Sequence, residues 1–227
     1  MKIYTNNMRY YFLTCNNPIR KTHLLNEFKF LKLIEVNPIT KNITKTRSGA
    51  TGFSKILDLA CQQQPRNKPF QPFVIFEDDV KKYREFPADI EIPDNTDILY
   101  IGLSNQGITK EGQWDGCEVI MNNINENIIR VYNMLQTHGM IICSIRGLLI
   151  LQKCLLEDIY KNRGYDISLA QIQPYINAYA LKIPLVYQYG KIGGAESTTK
   201  INYKNIKDRM LPKNKFNTTN ISIHTNY

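Results

Sequence analysis

Three consecutive acids, Glu77, Asp78 and Asp79, follow the apolar run Phe73-Val74-Ile75-Phe76. A short unbroken apolar run reads as a strand buried on both faces, and the carboxyl ends of such strands are where open α/β sheets hold their ligands. With the two-residue period of a strand, Glu77 and Asp79 leave on one side and Asp78 on the other, so Glu77 and Asp79 can converge on one divalent ion. Hard oxygen donors suit Mg2+ or Mn2+, which keep several waters and are commonly completed by phosphate oxygens of a substrate. A diphosphate-bearing ligand is the chemistry this predicts. On an exposed strand the same acids would be only a polar turn.

The elements that must position the triplet alternate along the chain. Residues 9–14 (RYYFLT) read as a buried strand stopped by Cys15-Asn16-Asn17-Pro18, a turn-forming cluster. Residues 22–33 carry Leu24, Leu25, Phe28 and Leu31 at helical spacing, and 33–36 resume as a strand. A polar, basic loop over 37–51 leads to a helix at 52–62, then to the 73–76 strand. Residues 97–103 (DILYIGL) form another strand, followed by a glycine-rich excursion at 105–117 that contains Trp114, and 127–135 is polar to amphipathic. A strand at 139–144, helices at 147–161 and 166–180, and a last strand at 184–187 complete the pattern. This alternation predicts an α/β fold with a Rossmann-like, mostly parallel central sheet flanked by helices: one domain over 1–200 and a polar basic tail over 201–227.

Composition bounds the function classes. With 227 residues, 43% hydrophobic and 22% charged, the chain has the material for a core and a cleft. Lys+Arg 29 against Asp+Glu 20 gives a net charge of +9, which predicts an anionic partner. Five cysteines without a C-x-x-C pair argue against a disulfide framework or structural zinc. The first residues, MKIYTNNMRYYFLTC, lack a signal-peptide apolar segment, and no stretch approaches the about eighteen apolar residues of a membrane span. The expectation is a soluble, cytoplasmic protein.

Residues 49–60 (GATGFSKILDLA) followed by 73–80 (FVIFEDDV) resemble the glycine, serine and helix segment and the LVLEDDV-type motif after it in family 25 glycosyltransferases, the group containing lipooligosaccharide and procollagen galactosyltransferases. Residues 97–102 (DILYIG), 137–147 (THGMIICSIRG), 165–169 (YDISL) and 183–188 (IPLVYQ) follow in the family's order. The resemblance spans about 9–201. It departs where the family has Ser-His and this chain has Phe53-Ser54, and where Met140 or Ile141 replaces an aromatic residue.

The resemblance implies a GT-A fold with a DxD-type motif, a nucleotide-sugar donor, most often UDP-linked, a glycan or protein hydroxyl as acceptor, and inversion at the anomeric carbon. Under it, Glu77 and Asp79 hold Mn2+ or Mg2+, and Asp78 assists at the metal or the ribose. A metal on the diphosphate acts as Lewis acid and clamp. Asp166 matches the family's later acidic position and is the expected general base, with a helix N-cap as the structural alternative. Thr14, Asn16 and Arg20 are expected at the nucleotide, and Lys55, on a helix opening at Gly52, at the diphosphate. Gln188 is expected on a sugar hydroxyl. Trp114 and Tyr100 are candidates for stacking on a sugar ring, His138 reads as a structural residue, His23 as a surface residue, and Glu157 and Asp158 as a solvated helix face.

Two rivals remain at this stage. A metal-dependent nuclease would use Glu77, Asp79 and Lys81 or Lys82, and a nucleic-acid-binding module would place the tail lysines between 200 and 215 on phosphates. Neither accounts for the acidic strand end as well as a nucleotide-sugar enzyme does, so nucleic acid is not the expected partner.

Overall fold

The unbroken apolar runs are realised as strands covered on both faces. The computed structural model describes residues 1–14, 17–39, 42–104, 106–108, 118–135 and 137–189. In chain order its strands and helices are β1 (Lys2–Tyr4), β2 (Arg9–Leu13), α1 (Pro18–Glu27), β3 (Leu33–Val36), α2 (Lys45–Gln62), β4 (Phe73–Glu77), β5 (Val80–Lys82), β6 (Asp89–Glu91), β7 (Ile98–Tyr100), β8 (Met121–Asn123), β9 (Ile128–Val131), β10 (Gly139–Ile142), α3 (Ile145–Lys161), α4 (Tyr165–Ile172), β11 (Ala178–Leu181) and β12 (Val186–Gln188).

One eight-stranded sheet runs β3-β2-β4-β10-β7-β11-β9-β8, flanked by two two-stranded ribbons, β1-β6 and β5-β12. Tyr11, Phe73, Ile75, Ile98, Tyr100 and Met140 pack on one face against Ile56 and Leu57 of α2, Leu148 and Leu151 of α3, and Leu169 of α4. The alternate residues Tyr10, Phe12, Val74, Phe76, Leu99 and Ile141 pack on the other with Leu24, Phe28 and Val80. A strand whose two faces are both core has no polar face to show. The α/β class follows from this layering.

The sheet is mixed rather than mostly parallel. β2 is parallel to β3 and β4, and β7 to β11, whereas β10 is antiparallel to both β4 and β7, and β9 is antiparallel to β11 and β8. A parallel neighbour needs a crossover, usually a helix, and among the described residues no helix lies between β4 and β10. The polar stretch around 127–135 hides β9, which pairs with β8 through a turn in which Asn125 Oδ1 accepts the N–H groups of Asn127 and Ile128 at 2.8 and 2.9 Å. That side-chain turn is an Asx type.

Three helices also differ from expectation. The helix expected over 22–33 is α1, Pro18–Glu27, capped by Asn17 and ended before Phe28. α2 begins at Lys45, not Gly52: Thr44 is its N-cap, with Oγ1 accepting from Arg47 N at 3.3 Å. The helix expected over 166–180 stops near Pro174, in the short 3-10 turn Gln173–Tyr175, and β11 takes the rest. β12 stands outside the central sheet and pairs with β5. Among the described residues no helix is long and apolar enough to cross a membrane. The 201–227 tail lies outside the described residues.

Candidate functional site

Parallel pairing brings the exits of three strands to one edge: Leu13 of β2 sits opposite both Val36 of β3 and Glu77 of β4. Over this edge lies a cleft of about 520 Å³, within the usual range for small-molecule sites. Its floor is Leu13, Thr14, Glu77, Asp78 and Asp79; α1 contributes Arg20 beside its cap Asn17, the early turns of α2 contribute Lys45, Ser48 and Gly49, and α4 contributes Tyr165. α2 approaches closely because Gly52 has no side chain: a Cβ there would fall 2.2 Å from a methyl of Leu13.

β4 ends at Glu77, and Asp78-Asp79 form a turn into β5. Strand alternation therefore stops at Glu77: the Asp79 carboxylate still acts on the Glu77 carboxyl electrostatically, but each is held by partners of its own. Arg20 Nη1 lies 3.3 Å from Asp78 Oδ1 and 3.4 Å from Asp79 Oδ2. Asp79 Oδ2 also accepts from Gln188 Nε2 at 3.2 Å, and the Asp79 carbonyl accepts the Tyr189 N–H at 2.7 Å, so the end of β12 is tied to the turn. The other carboxylate oxygen, Asp79 Oδ1, is buried with no hydrogen-bond partner among the described residues, on a residue 5% exposed. Burial pushes the Asp79 carboxyl up, while Arg20 and Gln188 pull it down.

Glu77 has its own partners. Its Oε1 accepts from the Thr137 hydroxyl and, at 2.9 Å, from the Tyr165 hydroxyl. Burial, with the Asp79 carboxylate adding to it, pushes the Glu77 carboxyl up to about 7, against the two hydrogen bonds, which lower it. Burial also raises the Tyr165 phenol well above its ordinary value. Among the described residues, no three His, Cys, Asp or Glu side chains form a ready metal cage.

The expected site residues divide. Thr14 (1% exposed), Arg20, Glu77, Asp78 and Asp79 line the cleft, and Gln188 reaches it through Asp79. Lys55 does not: it is exposed, and its Nζ donates to the Asn37 carbonyl at 3.3 Å. With α2 starting earlier than expected, Lys45 takes the place at the cleft. Asp166 is half-buried beside Tyr165 but does not line the cleft; its Oδ1 accepts the Ile167 N–H at 3.0 Å in the first turn of α4, and burial raises its carboxyl. Asn16 and Trp114 lie outside the described residues.

Tyr100 is core, its hydroxyl accepting from Gln173 Nε2 at 3.0 Å, so it cannot stack on a ligand. His138 is buried and pushed down to about 3, hence neutral. His23 is half-buried, its ring stacked on Tyr189 with centroids 6.0 Å apart. Asp158 is fully buried on Arg163 Nε at 3.0 Å, not on a solvated face. Lys81 lies over the Tyr189 ring and Lys82 pairs with Glu85 at 2.7 Å, and neither lines the cleft.

Sequence reading missed Lys45, Ser48, Gly49, Thr137 and Tyr165. The signals were present: Thr44 as an N-cap, small residues at 48, 49 and 52 for a close helix, and a tyrosine ahead of Asp166.

No protein-family model matches the sequence, nor does any curated protein sequence. Among solved structures, the crystal structure of A197 from STIV aligns with 79% of this chain and 83% of its own, at 12% identity and a TM-score of 0.41.

Proposed function

We propose that the chain is a divalent-cation-dependent glycosyltransferase that moves a sugar from a UDP-linked donor to a hydroxyl of a glycan or protein, on a GT-A-type sheet. One observation carries the reading: the cleft has two signs. Its floor is three carboxylates, and its rim is formed by the beginnings of α1 and α2, whose first turns hold no acidic residue and present Arg20 and Lys45. Helix N-termini and basic side chains favour an anion, whereas a carboxylate floor repels one unless a cation lies between. A metal-bridged diphosphate meets both requirements.

The residues present fit a divalent ion. Asp79 Oδ1 is a buried oxygen lacking a partner among the described residues, and Asp78 shares Arg20 with Asp79, so these two carboxylates would hold the ion. When bound, such an ion supplies Lewis-acid stabilisation of charge on the departing diphosphate. Glu77, engaged by Thr137 and Tyr165, is withdrawn from that role. It faces the cleft as a fixed carboxyl with a value near neutrality, suited to accept the proton of the attacking hydroxyl. Asp166, the sequence-based choice, stands one residue beyond Tyr165 and outside the cleft. In this reading Lys45 and the first turn of α2, which line the cleft, would meet the phosphates, and Thr14, beside β2, the nucleoside end.

Release of UDP from a panel of UDP-sugars with Mn2+ tests this reading. Turnover that disappears in EDTA and in Asp79→Asn supports it; no UDP release from any donor, with or without candidate acceptors, counts against it.

A further inference from the structure

Arg20 occupies the first turn of α1, where Asn17 Oδ1 accepts its N–H at 3.2 Å. A cation at that end opposes the helix dipole, so helix stability does not explain an arginine there. Its guanidinium instead meets the cleft floor, with one nitrogen 3.3 Å from Asp78 and 3.4 Å from Asp79. Both distances are at the long end of the hydrogen-bond range. Asp79 Oδ1, 5% exposed as a residue and without a partner among the described residues, lies on the same carboxylate. A single tethered charge thus sits where a divalent ion would be held, and one of the oxygens is left over.

We propose that Arg20 is a displaceable counter-ion that couples the two ligands of the cleft. It holds Asp78 and Asp79 together before the metal arrives, competes with the metal for them, and turns to the phosphate oxygens when a diphosphate enters. The planar guanidinium serves carboxylate and phosphate alike. Two cations a few ångströms apart in a partly dry cleft repel, so Arg20 weakens metal binding on its own. A phosphate ligand that draws the guanidinium aside relieves that repulsion, and linkage makes the effect reciprocal. This rests on the metal-and-diphosphate reading above and adds to it the direction of the coupling.

The test titrates the full chain with Mn2+ alone, and separately with UDP in EDTA, in wild type, Arg20→Gln, Arg20→Lys and Asp79→Asn. Arg20→Gln is expected to tighten Mn2+ by about tenfold and to weaken UDP by about tenfold, while Arg20→Lys stays near wild type for Mn2+. Opposite signs are the signature, since an arginine with a purely structural role would weaken both on removal. Unchanged or weaker Mn2+ binding in Arg20→Gln overturns the proposal. Should that variant not fold, the wild type supplies the same test: saturating uridine monophosphate is expected to tighten Mn2+ by about tenfold, and no tightening overturns the proposal. Asp79→Asn separates the two levels. If Mn2+ binding is indifferent to Asp79, the reading of the cleft falls and the counter-ion role with it; if binding depends on Asp79 and Arg20→Gln fails to tighten it, only the counter-ion role falls.

Discussion

The ring of Tyr165 fills the space that a side chain at position 49 would need: a Cβ on Gly49 would fall 2.5 Å from Tyr165 Cε1. The same tyrosine carries its hydroxyl 2.9 Å from Glu77 Oε1. A glycine on α2 thereby allows a residue on α4 to reach a carboxyl at the end of β4. Gly49→Ala is expected to push the ring aside, to loosen the Tyr165–Glu77 bond, and to cost about 1–3 kcal/mol by overpacking. Tyr165→Phe, which keeps the ring and removes the hydroxyl, is expected to cost about 1 kcal/mol. Urea unfolding of both variants checks the ordering; a Gly49→Ala as stable as wild type contradicts it.

Glu77 gives the fold a pH dependence of definite sign. Its folded value near 7 is above its ordinary value of 4.5, so the folded state binds the proton more tightly than the unfolded chain. Stability from this group is full below about 4.5 and declines as pH rises through about 7, by about 3 kcal/mol. Glu77→Gln is expected to flatten that decline between pH 5 and 7.5 in thermal melts recorded without metal. A variant whose melting temperature falls with pH as steeply as wild type would remove Glu77 as the cause.

The proton acceptor proposed above, Glu77, is separable from Asp166. Glu77→Gln is expected to lower kcat by at least about 100-fold, the usual scale of general-base catalysis, with little change in donor KM. Asp166→Asn, which alters a residue outside the cleft, is expected to stay within about tenfold of wild type. The reverse ordering returns the role to Asp166.

At the basic rim, Lys45→Ala is expected to weaken UDP binding by about fivefold, the scale of one partly exposed charge, whereas Lys55→Ala leaves it unchanged. Calorimetry on the two variants decides which lysine serves the phosphates.

The fold was legible where burial leaves an unambiguous pattern. Residues 9–13, 73–77, 98–100 and 139–142 read as strands because both faces are core, and the acids after Phe76 stand at a strand exit, as the apolar run ahead of them implies. Strand direction was not legible, since an apolar run carries no sign of its partner's orientation, and β8 and β9 were masked by asparagine-rich sequence. The site was half legible for a related reason. Sequence neighbours such as Glu77 to Asp79 announce themselves, while Thr137 and Tyr165 reach Glu77 across 60 and 88 residues. The sequence points to Lys55 and not to Lys45 because a threonine, lysine and arginine stretch has weak helical periodicity, and its start is marked only by Thr44.

In the proposed function Asp79 anchors a divalent ion through which a nucleotide diphosphate sugar binds. A thermal-shift series of wild type and Asp79→Asn, with UDP-sugars in Mn2+ and in EDTA, tests it most directly. The expected result is a rise of about 5 °C at saturating donor when Mn2+ and Asp79 are both present, and a much smaller one when either is missing. An equal shift in EDTA or in Asp79→Asn, or no shift with any donor in Mn2+, would contradict the claim.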